Sequence, residues 1–209
     1  PVLSSLWDLR IMYKRALQLY NSKPFEIVHC RSHLTALVGL KLKKKLGLKL
    51  LFDMRSFYPD ERVDGGIWPQ SNPIYKLIYQ YFKRKEVELL NNCDSLVVLT
   101  KKAKEVIQGF KNVSIEPGKI KLIPCCADLN HFNNNKINKK TQREFKEKLS
   151  ISEKSFIVSY LGSIGSWYMI NEMLQFFKVL KSLIPNSLFL FITPNKEEEI
   201  ISLAIKNGV

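Results

Sequence analysis

The chain has 209 residues, 45% hydrophobic and 11% aromatic, with 33 Lys and Arg against 19 Asp and Glu for a formal charge of +14. That composition excludes a disordered polar tail and leaves room for one large domain or two small ones, each with its own core. No long unbroken apolar run and no basic-then-apolar leader is present, so neither a membrane-spanning helix nor a signal peptide is expected.

Residues 6–20 place apolar side chains at helical spacing with Lys14 and Arg15 opposite, which predicts a helix. After Asn21 and Pro24, residues 26–30 read as a short buried strand. Ser32 is then expected to cap a helix running to Gly47, with Lys43, Lys44 and Lys45 in its last turn, where the macrodipole favours cations. A second strand follows over residues 48–54. Residues 55–72 are expected to be irregular, because Pro59, Gly65, Gly66 and Pro69 break any period. Loops of that length in compact domains are usually functional or disordered. Pro73 opens a helix through Asn92. Residues 95–100 predict a third strand, residues 101–110 a further helix and residues 121–124 a fourth strand. Strands alternating with helices imply parallel βαβ units with right-handed crossovers, an α/β fold.

Residues 133–143 (NNNKINKKTQR) form a low-complexity polar run and the natural linker. Beyond it, a short helix is expected over residues 145–149, a strand over 156–161, a helix over 169–183, a strand over 187–193 and a helix over 196–207 closed by Gly208. Two parallel strands lack cover on both faces. The chain also begins at a proline. It is therefore expected to be a piece of a longer protein that continues past Val209.

The charge is uneven. Residues 1–125 hold 22 basic and 11 acidic side chains, and residues 126–209 hold 11 and 8. A positive field concentrates phosphate esters, anionic headgroups and nucleic acid alike, and a lysine-rich solubilising surface gives the same count. A nucleic-acid-binding module, or another phosphate-binding α/β module, is thus the rival reading. The absence of helix-turn-helix, RNP and zinc patterns weighs against the first. Four cysteines without C-x-x-C spacing, and only three histidines, point to a reducing, cytosolic setting and to no structural zinc. The adjacent Cys125 and Cys126 read as buried small thiols rather than a redox pair.

In open parallel sheets, ligands sit beyond the carboxyl ends of the strands. After the first strand comes His29-Cys30-Arg31-Ser32-His33, a cluster suited to general-base work or to holding an anionic or polyhydroxy ligand. The plain alternative is a core His29 satisfied by backbone, with Arg31 in solvent. After the second strand, Asp53 and Arg55 alternate to one face and can pair. Asp60, Glu61, Arg62 and Asp64 follow on a loop that either recognises hydroxyls and phosphates or is merely solvated. After the fifth strand, the glycine-spaced turn from Gly162 through Ser163 and Ile164 to Gly165 exposes backbone N–H groups that can cradle a diphosphate, or simply turns the chain. The helix from Ile74 to Leu90 sets Lys76, Lys83, Arg84 and Lys85 beside Leu77, Ile78, Tyr81 and Phe82. That pattern fits docking on anionic lipid or an ordinary core-facing helix.

Taken in order, VHCRSH, FDMRSFYPDERVDGGIW, SNPIYKLIYQYFKRKE, SLVVLT, KLIPCCADLNHF and YLGSIGSWYMINEMLQFFK resemble bacterial glycosyltransferases of the group 1 type, family 4. The resemblance runs from Glu26 onward. It implies a GT-B architecture of two Rossmann-like domains facing a cleft, incomplete in this chain. Residues 1–132 would be the latter part of the N-terminal acceptor-side domain, 133–149 a linker and short helix, and 150–209 the start of the nucleotide-sugar domain. Ile123, Pro124, Asp128 and Phe132 match the family's junction motif, with Cys125 and Cys126 in place of Asn-Gly. Gly162 matches the donor loop. Ser163 stands where the family has Arg and Tyr168 roughly where it has Lys, so backbone amides between Gly162 and Gly165 would carry more of the diphosphate. The family's N-terminal glycine-rich loop and its paired glutamates are absent.

The resemblance implies retaining, metal-independent transfer from a nucleotide-diphosphate sugar to a saccharide or lipid-linked saccharide in cell-surface polysaccharide biosynthesis. It implies no cofactor, no metal and no nucleic-acid partner. The protein would be cytoplasmic, with peripheral contact on the anionic inner face of the cell membrane. His33 and Arg31 are expected in catalysis, Arg55, Asp60, Glu61 and Arg62 on the acceptor side, and Gly162, Ser163 and Gly165 at the donor, with His29 in support. Stabilising the leaving diphosphate needs positive charge and oriented N–H groups more than a strong base. The 209 residues alone are expected to be inactive. An epimerase or sensor on the same architecture stays open.

Overall fold

A computed structural model of the chain describes residues 2–165 and 167–209, with side chains from residue 7 onward. Two compact units divide between Cys126 and Ala127. The first contains α1 (Val2–Ser22), β1 (Ile27–Arg31), α2 (His33–Leu46), β2 (Lys49–Asp53), α3 (Tyr58–Asp64), α4 (Pro73–Asn92), β3 (Ser95–Val98), α5 (Lys101–Gln108) and β4 (Ile120–Leu122). Its strands are all parallel, in the order β1-β2-β3-β4.

The register explains the core. Cys30 lies opposite Phe52, Phe52 opposite Leu96, and Leu96 opposite Ile120, and all four are buried. Ala36 and Leu40 of α2, Leu89 and Leu90 of α4, and Ile107 of α5 close over that row. Fully burying a side chain such as Phe52 or Leu96 contributes about 1.5–3 kcal/mol. The neighbouring row, Arg31, Asp53, Val97 and Lys121, points to the other face by strand alternation. α1 packs on α2 through Leu9, Tyr13, Ala16 and Leu17, against Val38, Leu42 and Leu48. Gly39 lets α2 approach the sheet closely: a Cβ there would press into Cys30 Sγ and come within 2.8 Å of Leu50 Cδ1.

Four expectations change. Residues 55–72 are not wholly irregular, because α3 forms within them; Pro59 occupies its first turn, where no N–H is needed, and Asp60 and Glu61 sit where the dipole favours acids. Ser32 holds the N-cap position of α2 but makes no side-chain cap. Instead Thr35 Oγ1 bonds back to the Ser32 and Arg31 carbonyls. The fourth strand starts one residue earlier and stops at Leu122. The polar run is partly helical: α6 (Lys139–Lys148) begins inside it, with Asn138 accepting the Lys140 N–H at 2.8 Å.

The second unit also contains β5 (Phe156–Leu161), α7 (Ile170–Leu183), β6 (Ser187–Ile192) and α8 (Glu197–Asn207). β5 and β6 pair in parallel over six positions each. Ile164, Ile170 and Leu174 are buried together, against Tyr160, Phe191, Ile200 and Leu203. Gly208 ends α8 at φ 71°, the left-handed conformation that suits glycine.

Candidate active site

In the first unit the carboxyl ends of β1 and β2 gather a polar cluster. Because side chains alternate, Cys30 enters the core while His29 and Arg31 leave it. Both are exposed, so the core reading of His29 is corrected. Asp53 is buried at the end of β2. Its Oδ2 lies 3.8 Å from His29 Nε2, and its Oδ1 lies 3.7 Å from Arg55 Nη1. Asp53 Oδ1 has no hydrogen-bond partner among the described residues. Arg55 also donates from Nη2 to Cys125 Sγ at 3.7 Å. Cys125 and Cys126 are exposed free thiols, which corrects the expectation of burial. The buried thiols are Cys30 and Cys93, and burial pushes both up to about 11. Met54, Arg55, Ser56, Phe57, Leu99 and Thr100 line a cavity of about 240 Å³ beside this cluster.

The turn from β1 into α2 is strained. Ser32 sits at φ 73°, ψ 162°, a region essentially confined to glycine, and its N–H donates to the Asp53 carbonyl at 2.9 Å. That bond ties the two strand ends together directly behind Arg31.

His33 and Arg31, the pair expected in catalysis, differ sharply. Arg31 is exposed, whereas His33 is 1% exposed. The His33 ring meets the edge of Phe52 and stacks on Tyr58, with Nε2 3.2 Å from Glu86 Oε1. Glu86 is completely buried on α4. Lys83 bonds Glu86 Oε2 and, at 2.9 Å, Asp60 Oδ2, while Tyr79 donates to Asp60 Oδ1 at 2.8 Å. Burial pulls the Lys83 ammonium down, but its bonds to Glu86 and Asp60 outweigh that and leave it above its ordinary pKa. Burial, then the Asp60 bond, pushes the Tyr79 phenol up. This network locks α2, α3 and α4 together.

The acceptor-side expectations divide accordingly. Asp60 is an anchor within the network. The Arg62 guanidinium lies 4.9 Å over the Tyr58 ring, and its Nε is buried without a hydrogen-bond partner among the described residues. Glu61 is exposed and accepts the Ser56 hydroxyl at 2.6 Å. Arg55 alone of the four reaches the cluster at the strand ends. One participant, Glu86, was missed from the sequence, although it was detectable as a charged residue on the Phe82–Leu89–Leu90 stripe of its helix.

In the second unit, Gly162 follows β5 at φ 150°, and a Cβ there would lie 3.0 Å from Tyr160 Oη. Tyr160 donates to the Ser163 carbonyl at 2.6 Å. Of the four amides expected to face a diphosphate, two are committed elsewhere: Gly162 N–H donates to the Ile192 carbonyl at 3.0 Å and Ile164 N–H to Asn195 Oδ1 at 3.1 Å. Among the described residues, the Ser163 and Gly165 amides have no acceptor. Asn195 is itself held by Thr193 Oγ1 at 3.0 Å, so the turns after β5 and β6 are stitched together. Among the described residues, no cluster of His, Cys, Asp and Glu is built to hold a metal, and no helix is long and apolar enough to cross a membrane.

A family profile described as Glycosyltransferase Family 4 matches residues 1–131. No curated protein matches the chain. Among solved structures, sucrose-phosphate synthase from Thermosynechococcus elongatus is similar at a TM-score of 0.67 and 14% identity, covering 96% of this chain and 47% of that one. HepE of Anabaena, in complex with UDP-glucose, is similar at 0.62 and 11%, covering 93% and 47%. A glycosyltransferase from Rickettsia africae ESF-5 is similar at 0.58 and 14%, covering 100% and 49%. The chain spans about half the length of each. At these identities the likeness is one of fold, and the fold is the α/β GT-B type with Rossmann-like parallel sheets.

Proposed function

The chain belongs to Glycosyltransferase Family 4, and from that premise we propose that its parent protein transfers a sugar, with retention, from a nucleotide-diphosphate donor to a saccharide or lipid-linked saccharide of the cell surface. The observation that carries the reading is the cluster at the carboxyl ends of β1 and β2: exposed Arg31, and Asp53 flanked by His29 and Arg55, all within the matched stretch. A buried carboxylate oxygen left without a hydrogen bond, flanked by His29 and Arg55, is costly for a fold and useful for gripping hydroxyls. Arg31 and Arg55 would contact the acceptor. His33, sealed between Phe52 and Tyr58, is a positioning residue that fixes the start of α2 and hence Arg31.

On the donor side, the Ser163 and Gly165 amides would take the diphosphate. HepE was solved in complex with UDP-glucose, which favours a nucleotide sugar as the donor here too. Neither a metal nor a cofactor is part of the proposal. The protein is proposed to work in the cytoplasm, in peripheral contact with the membrane. As a piece about half the length of its structural neighbours, the 209-residue chain is proposed to bind but not to turn over.

Thermal unfolding of the chain against a panel of nucleoside diphosphates and their sugars tests this. A ligand present at ten times its Kd stabilises by about 1.4 kcal/mol, a readable shift. Flat curves across the panel, together with salt-dependent retention of oligonucleotides on a filter, would move the protein to the nucleic-acid class.

A further inference from the structure

One face of the first unit is unexplained by either the fold or sugar transfer. α4 carries two apolar stripes. The inner one, Phe82, Leu89 and Leu90, packs into the unit and accounts for the helix. The outer one, Ile74, Leu77 and Tyr81, is spaced i, i+3, i+7 and stays 66%, 64% and 48% exposed. It leads to a groove of about 650 Å³ between α1, α2 and α4. Leu9, Leu37, Val38 and Leu40 line that groove, and Trp7, itself 64% exposed, stands with Tyr81 among its lining residues.

Four cations surround these apolar groups. Lys44 and Lys85 both pair with Glu88, the one acidic residue among the described lining residues. Arg10 and Lys41 are exposed and have no acidic partner among the described residues. Lys76 and Arg84 flank the stripe, also exposed. Interfacial aromatic and aliphatic side chains ringed by Lys and Arg have the composition of a surface that lies in the headgroup layer of an anionic bilayer.

The geometry points to this α1–α2–α4 groove and the adjoining α4 stripe as a docking surface for an anionic lipid bilayer, with Trp7, Ile74, Leu77 and Tyr81 entering the headgroup layer and Arg10 and Lys41 meeting lipid phosphates. Charge complementarity selects this occupant. A second copy would bring the same positive groove and be repelled. Nucleic acid would match the charge but leave Ile74 and Leu77 nothing to stack on. The inference deepens the membrane part of the proposed function and rests on no assumption about which sugar is moved.

Sedimentation of the 209-residue chain with vesicles tests it, comparing phosphatidylcholine alone with an equal mixture of phosphatidylcholine and phosphatidylglycerol. The chain is expected to sediment with the mixture only, and Trp7 fluorescence to shift to the blue, a shift absent in Trp7→Phe. Arg10→Glu with Lys41→Glu should weaken binding about tenfold or more. Lys139→Glu with Lys140→Glu, the same charge change on exposed α6, should leave it nearly unaltered. Ile74→Gln with Leu77→Gln should abolish the blue shift. Binding indifferent to phosphatidylglycerol, or equal damage from the α6 reversal, would overturn the proposal. So would self-association relieved by Ile74→Gln with Leu77→Gln, or vesicle binding displaced by an oligonucleotide. Nucleoside-diphosphate binding measured on the unsubstituted chain separates the two readings: no vesicle binding with intact nucleotide binding sinks only the docking, and the reverse sinks only the transferase.

Discussion

In the first unit Leu50, Phe52, Leu89, Leu90, Leu96 and Ile107 lose all exposure beneath α2, α4 and α5, whereas in the second unit, of all the residues in β5 and β6, only Ser187 is buried. Leu161, Leu183 and Ile205 of the second unit remain 77%, 75% and 71% exposed. The difference follows from strand number. Four parallel strands with crossovers in one direction collect three helices on one face and enclose a core, while the two strands of the second unit leave, among the described residues, only Ile151, Ile164, Ile170, Leu174 and Phe177 as buried apolar side chains. Stability is therefore concentrated in the first unit, and so is the buried polar network.

The largest effect should come from Glu86→Ala. Removing the shared partner of buried His33 and of Lys83 should cost about 3–5 kcal/mol, read as a lower urea midpoint for the first unit with the second unit's transition unmoved. Glu86→Gln, which keeps the hydrogen-bonding shape, should cost less. A loss equal in both units would break the comparison. Next, amide hydrogen exchange in β5 and β6 should run on the order of a hundredfold faster than in β2 and β3. Equal protection would mean that the second unit draws stability from something other than its own core.

Gly39→Ala should cost about 1–3 kcal/mol, because the new methyl meets Cys30 Sγ and Leu50 Cδ1. An unchanged melting temperature would show that α2 is free to shift on the sheet. The smallest effect should be acid sensitivity. Burial raises the Asp94 carboxyl, but bonds from Lys43 and the Leu50 N–H outweigh it, and Lys44 and Lys85 hold Glu88 down by their hydrogen bonds. Both carboxyls thus sit below their ordinary pKa. Their stabilisation is full above that ordinary range and is lost as pH falls through the depressed values. At about a kcal/mol or less each for such half-exposed pairs, Asp94→Asn should flatten the first unit's stability profile below pH ~4.

Much of this fold was legible because period and punctuation agreed. β5, α7 and α8 begin and end within a residue or so of where apolar alternation, helical spacing and Gly208 put them. α4 was legible for the same reason, with Pro73 at its first turn. α3 was not, because proline and glycine density reads as loop, although Pro59 at a helix start is compatible with helix. The site was legible in outline only. Arg31 and Arg55 lie at the strand ends as expected. The burial of His33, however, depends on Glu86, 53 positions away, and no local pattern links them. The exchange of roles between His29 and His33 turns on strand register, which is set by tertiary pairing. The Ser32 backbone, strained where glycine would be at ease, carries no residue-type signal at all.

Donor chemistry is assigned to the second unit and acceptor chemistry to the first. An amide-resolved NMR titration of the 209-residue chain with UDP-glucose tests that most directly. The expected result is saturable shifts at Ser163 and Gly165 and in the turn after β6, with the Arg31–Asp53–Arg55 cluster unmoved by donor alone. Shifts confined to the first unit, or none between residues 160 and 170, would contradict it.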